Sequence, residues 1–151
     1  MVVDQNFLKV KKYFLLVIFF LLFASKSYSN NYTFTKIIEL DEPWGSSFIN
    51  NDEIIITEKS GKIKIVNIIS KEVTEIKHNL NFLEVGQGGL LDIIHQDNAL
   101  WISYSEDRGN LKTSTSIAKA QLNKQELNFK NIFQANPPID SGYHFGSRLA
   151  I

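Results

Sequence analysis

At 151 residues, with 44% hydrophobic and 21% charged side chains, the chain has the size and composition of one folded domain and not of a disordered segment. Lysine plus arginine equals aspartate plus glutamate at 16 each, yet setting aside residues 1–29 leaves 12 basic and 15 acidic residues. That net charge of −3 lacks the basic face a nucleic-acid partner requires, and the absence of cysteine excludes any disulfide framework.

Residues 1–29 carry the asymmetry. Lys9, Lys11 and Lys12 precede the apolar run Tyr13–Ala24, and Ser27-Tyr28-Ser29 follows with small residues spaced one apart. A positive flank, a short apolar core and a small-residue site make a secretory signal, expected to be cleaved after Ser29. The run is short of the roughly 20 apolar residues that span a bilayer. The expectation is therefore a protein of the bacterial periplasm or exterior with no stable membrane insertion after cleavage. An uncleaved signal anchor, tethering a small β-domain, is the alternative. Asn31-Tyr32-Thr33 matches a glycosylation acceptor, a triplet too common to carry weight without other signs of a eukaryotic route.

Beyond the signal, apolar residues recur at a period near two in short runs bounded by turn residues, which predicts strands. The first set is Thr35–Leu40, Trp44–Ile49, Glu53–Glu58, Lys62–Val66 (with the lysines on the wet side) and Val73–Lys77. The glycine cluster Gly86-Gln87-Gly88-Gly89 opens a second set: Leu90–Ile94, Leu100–Tyr104, Ser114–Ala120 and Leu127–Phe133. A third set opens at Arg148-Leu149-Ala150-Ile151.

Trp44-Gly45, Gly88-Gly89 and Phe145-Gly146 occupy equivalent places, and the first two repeats start about 44 residues apart, the length of a propeller blade. The pattern predicts an all-β chain forming part of a β-propeller over residues 30–151, with a β-sandwich as the competing architecture. Propellers close with about 4–8 blades, and two blades plus the first strand of a third leave faces uncovered. The chain is accordingly expected to be the amino-terminal part of a longer protein.

Two positions are candidates for chemistry. His144 sits where a glycine-flanked loop enters the third set, and histidine takes and returns a proton near neutral pH. Gln87 occupies the equivalent place in the second set and offers both a donor and an acceptor, although a flexible turn explains the glycines equally. In a propeller these loops gather at one end of the central channel, bringing the two residues together. Arg148 can face a carboxylate or phosphate, or lie on a strand surface. His78 and His95 lack acidic or cysteine partners at metal-ligand spacing, so no metal site is assigned, and no nucleophile elbow is present.

At this point Pro43-Trp44-Gly45, Thr57-Glu58 with Gly61-Lys62-Ile63, Gly86-Gln87-Gly88-Gly89-Leu90-Leu91-Asp92, Tyr104-Ser105 and Gly142-Tyr143-His144-Phe145-Gly146-Ser147-Arg148-Leu149 occur in a telling order. Together they resemble the glucose/sorbosone dehydrogenase family, the soluble aldose sugar dehydrogenases that use pyrroloquinoline quinone (PQQ), from about Leu40 to Ile151. The resemblance implies a six-bladed propeller and oxidation of an aldose at its anomeric carbon. It implies that a histidine removes the hydroxyl proton while hydride passes to PQQ, which a calcium ion helps to bind. By position His144 matches the catalytic base and Gln87 a substrate-contacting glutamine. Tyr143 stands where some relatives carry an acid. The groups that grip PQQ and calcium come from later blades in the family, so none is assigned in this chain, which is expected to be inactive alone. The electron acceptor is left open. The competing functional reading is a non-catalytic exported propeller that binds carbohydrate or a protein partner.

Overall fold

The protein is described by a computed structural model, which covers residues 13–14 and 32–150. The expected signal therefore lies outside the described residues, Tyr13 and Phe14 excepted. Residues 32–40 carry no regular secondary structure.

Among the described residues nine strands in two sheets follow. The first sheet is a meander of β1 (Pro43–Phe48), β2 (Glu53–Glu58), β3 (Ile63–Asn67) and β4 (Val73–His78), each antiparallel to the last. The second takes β5 (Leu90–Gln96), β6 (Ala99–Asp107), β7 (Thr113–Gln121) and β9 (Lys130–Gln134) in the same antiparallel manner. Between β7 and β9 the chain reaches back, and β8 (Glu126–Leu127) pairs parallel with the outer edge of β4. Asn79 continues that ladder with its side chain. Its amide donates to the Phe129 carbonyl at 3.1 Å and its oxygen accepts the Phe129 N–H at 2.8 Å.

Turn chemistry sets the registers. Asn50 Oδ1 accepts the N–H groups of Asp52 and Glu53, and Asn67 Oδ1 those of Ile69 and Ser70, closing the β1–β2 and β3–β4 connections. Asp97 and Asn98 both have positive φ and form the two-residue link between the paired residues Gln96 and Ala99, as a type I′ hairpin requires.

One apolar cluster then joins the two sheets. Ile55, Ile63, Ile65 and Ile76 from the first sheet meet Leu90, Ile93, Leu100, Ile102, Tyr104, Ala118 and Ala120 from the second, with Leu127 and Phe129 closing the cluster. The innermost strands touch directly: β5 packs on β1 and β2. A Cβ on Gly45 would lie 2.7 Å from Asp92 Cα and from the Leu91 carbonyl oxygen, so only glycine lets the two backbones approach. The buried Thr57 hydroxyl accepts the Gly45 N–H and donates to the Leu91 carbonyl, joining one sheet to the next. Ser103 repeats this one sheet later, accepting the Asp92 N–H and donating to the Ser147 carbonyl. The architecture is all-β and propeller-like, two blades followed by the segment that begins a third.

Four expectations need correction. Thr35–Leu40 is not a strand, because no described residue forms a ladder with it. Leu127–Phe133 is not one strand, because the chain changes sheets between β8 and β9. Arg148–Ala150 forms no ladder among the described residues, and Arg148 and Leu149 instead bond to Asp92 of β5. Lys64 is not on a wet face: its Nζ donates at 2.6 Å to the buried Glu58 carboxylate.

Candidate functional site

The site is built from two loops, residues 86–89 before β5 and residues 141–149 after β9. Gly86 and Gly142 bring them into backbone contact. A Cβ on Gly86, whose φ is +56°, would sit 2.4 Å from the Gly142 carbonyl oxygen. Across this contact the Gln87 N–H donates to the Gly142 carbonyl at 2.7 Å. The His144 N–H in turn donates to Gln87 Oε1 at 3.2 Å. The two residues singled out from the sequence, 57 positions apart, are thus neighbours, and both are exposed.

The rest of the histidine loop is tied to the sheets at almost every second residue. Thr113 Oγ1 donates to the Ser141 carbonyl and Ser141 Oγ accepts the Tyr143 N–H. Phe145 is buried, its ring against Gly88 and its carbonyl accepting from Thr115 Oγ1 at 2.5 Å. The Ser147 carbonyl accepts from Ser103 Oγ at 2.6 Å, and Ser147 Oγ accepts from the Trp44 indole N–H at 3.3 Å. Asp92, buried inside β5, takes the Leu149 N–H at 2.8 Å and Arg148 Nη1 at 3.2 Å. Arg148 therefore faces a carboxylate. The loop is anchored through its backbone while Tyr143 and His144 stay exposed, with ring centroids 6.4 Å apart. Such fixed backbone supports an accurately aimed side chain.

The other two histidines sit apart from these loops. His78 Nε2 donates to the Gly61 carbonyl at 2.7 Å while Nδ1 accepts the Leu80 N–H, which fixes its tautomer. His95 lies within β5, its N–H donated to Ser47 Oγ at 3.0 Å. A groove of about 590 Å³ bounded by Asp97, Lys119, Asn128 and Lys130 contains neither Gln87 nor His144.

Sequence reasoning missed Asp92 as an anchor, and with it Ser103, Thr115 and Trp44. The only signal was an acid inside the apolar run Leu90–Ile94, where a single polar residue reads as an ordinary outward position.

The sequence profile described as Glucose / Sorbosone dehydrogenase matches residues 40–151. Aldose sugar dehydrogenase YliI of Escherichia coli (strain K12) is 28% identical over 120 residues, 74% of this chain and 32% of that protein. The crystal structure of the soluble aldose sugar dehydrogenase from Escherichia coli in its apo-form is similar at a TM-score of 0.68 and 28% identity, covering 74% of this chain and 35% of that one. The PQQ-bound aldose sugar dehydrogenase of Streptomyces coelicolor shares the fold at a TM-score of 0.57 and 17% identity, over 66% of this chain and 32% of that one. The chain spans about a third of the length of the curated relatives it matches.

Proposed function

The chain belongs to the glucose/sorbosone dehydrogenase family, and on that premise we propose that it contributes to an oxidoreductase that oxidises aldose sugars at the anomeric carbon, with His144 as general base and Gln87 as a substrate contact. The observation that carries this reading is the hydrogen bond from the His144 N–H to Gln87 Oε1, which joins the two loops beside an exposed imidazole. Oxidising a hemiacetal to a lactone removes a proton from the hydroxyl and a hydride from the carbon. The neutral imidazole of His144 accounts for the proton, a role worth roughly 10²–10⁴ in rate.

PQQ, with calcium as its companion ion, would supply the hydride acceptor in this proposal. The residues described beside His144 do not make a cradle for a tricarboxylate. Arg148 is engaged by Asp92, and Lys59, which lies against Gly89, is paired with Glu42 at 3.6 Å. We therefore assign none of them to hold the quinone or the ion, and we expect the 151-residue chain alone to bind no PQQ and reduce no dye. The mature protein is assigned to the periplasm or exterior on the strength of the signal pattern in residues 1–29.

The deciding experiment is His144→Ala in the sugar-oxidising protein, with PQQ binding followed by absorbance. The expected result is a fall in kcat of about 10²-fold or more with cofactor binding retained. Retained turnover removes His144 from the base role. Loss of binding together with turnover makes it a structural residue instead.

A further inference from the structure

We propose that Gln87 is a positioning residue for His144, holding the histidine backbone in a left-handed conformation so that the imidazole is aimed, and that only its amide NH2 is left to meet the substrate. The proposal rests on the reading of His144 as base.

His144 has φ +66°, a left-handed region that disfavours a side chain-bearing residue. Such a conformation persists only where surrounding contacts outweigh the cost. Here the contact on the histidine's own N–H is Gln87 Oε1. Gln87 is itself fixed by its N–H on the Gly142 carbonyl and by the Gly86–Gly142 approach, which leaves no room for a side chain at residue 86. Because Gln87 and His144 are both exposed, burial does not explain the arrangement.

The same bond settles which way the amide points. The His144 N–H is a donor, so it meets the carboxamide oxygen, and the nitrogen end remains as a donor. Gln87 therefore offers the sugar two N–H groups and is matched to an acceptor oxygen. Its oxygen acts on His144, and its nitrogen on substrate.

Two variants of the intact, quinone-loaded protein separate these parts. Gln87→Glu keeps an acceptor for the His144 N–H and removes the donor. Gln87→Met removes both. Hydrogen exchange of the His144 amide reads positioning directly, independent of turnover. In Gln87→Met we expect His144 protection and kcat each to fall roughly 3- to 10-fold, the scale of one hydrogen bond, with the unfolding midpoint unchanged. In Gln87→Glu we expect protection to be retained and KM for the aldose to rise. Intact protection in Gln87→Met overturns the proposal, as does equal loss of protection in both variants. Failure of the base reading is distinguishable, because it appears as retained turnover in His144→Ala whatever the exchange data show.

Discussion

Arg148 Nη1 lies 3.2 Å from Asp92 Oδ1, joining a guanidinium side chain that is 82% exposed to a carboxylate that is 3% exposed. The pair ties the segment after the histidine loop to the innermost strand of the second sheet, and Asp92 strengthens the tie by accepting the Leu149 N–H. Asp92→Ala should destabilise the protein by about 1–3 kcal/mol, the cost of stranding a hydrogen-bonded donor. Asp92→Asn keeps an acceptor for Leu149 and should cost less. Denaturant midpoints at constant slope give the order, and equal losses would show that charge, not hydrogen bonding, fixes the segment.

Two glycines should respond to alanine for different reasons. At Gly45 the new methyl meets the backbone of Leu91–Ile93, a clash no rotamer relieves, and the expected cost is about 1–3 kcal/mol. At Gly109 nothing lies within 4 Å, but φ is +77°, and the expected cost is about 1 kcal/mol. Thermal unfolding of the two variants under one set of conditions ranks them. Only Gly45→Ala should also weaken protection of β1 amides in hydrogen exchange.

Glu58 supplies an acid-side dependence. Burial pushes its pKa up, but the bond from Lys64 and the Asp41 N–H, with the charges of Lys64 and Lys62, bring it below its ordinary 4.5. A depressed carboxylate contributes stability fully above the unfolded value, and that contribution is lost as pH falls from about 4.5 through the folded value. Lys64→Met leaves burial unopposed by its main partner, so stability at neutral pH should fall and the acid-side loss should shrink. Urea unfolding of both proteins across this pH range tests the sign.

Tyr104 supplies the alkaline counterpart. Burial first, and the Glu106 carboxylate second, push its phenol up to about 12. The unfolded chain releases this proton near 10, so stability should decline as pH rises from about 10 to 12. A spectrophotometric titration should show a phenol step near pH 12, and Tyr104→Phe should abolish it.

The core strands were legible as short apolar runs bounded by turn residues, although Ile55–Glu58 and Ile102–Ser105 are buried on both faces and alternation in β6 survives only over Ala99–Ile102. The same period misled where pairing, not patterning, decides. Thr35–Leu40 has the apolar content of a strand but forms no ladder with any described residue. Leu127 and Phe129 alternate with their neighbours, yet the chain crosses from one sheet to the other there without breaking the period. At the site, the internal repeat brought Gln87 and His144 to equivalent places, and they are in contact. The hydroxyls of Thr57, Ser103 and Thr115 were not legible, because their partners are backbone carbonyls from distant segments, and a carbonyl leaves no mark on sequence.

The short parallel pairing of β8 with β4 bears on the order in which the molecule can assemble. Lys77 and His78 gain their ladder partners, Glu126 and Leu127, only after nearly fifty further residues have been made. During synthesis the first blade therefore waits with an open flank until the second is almost complete, and long-range closure of this kind slows folding. Because the two sheets also share one apolar cluster, the pair should unfold in a single step.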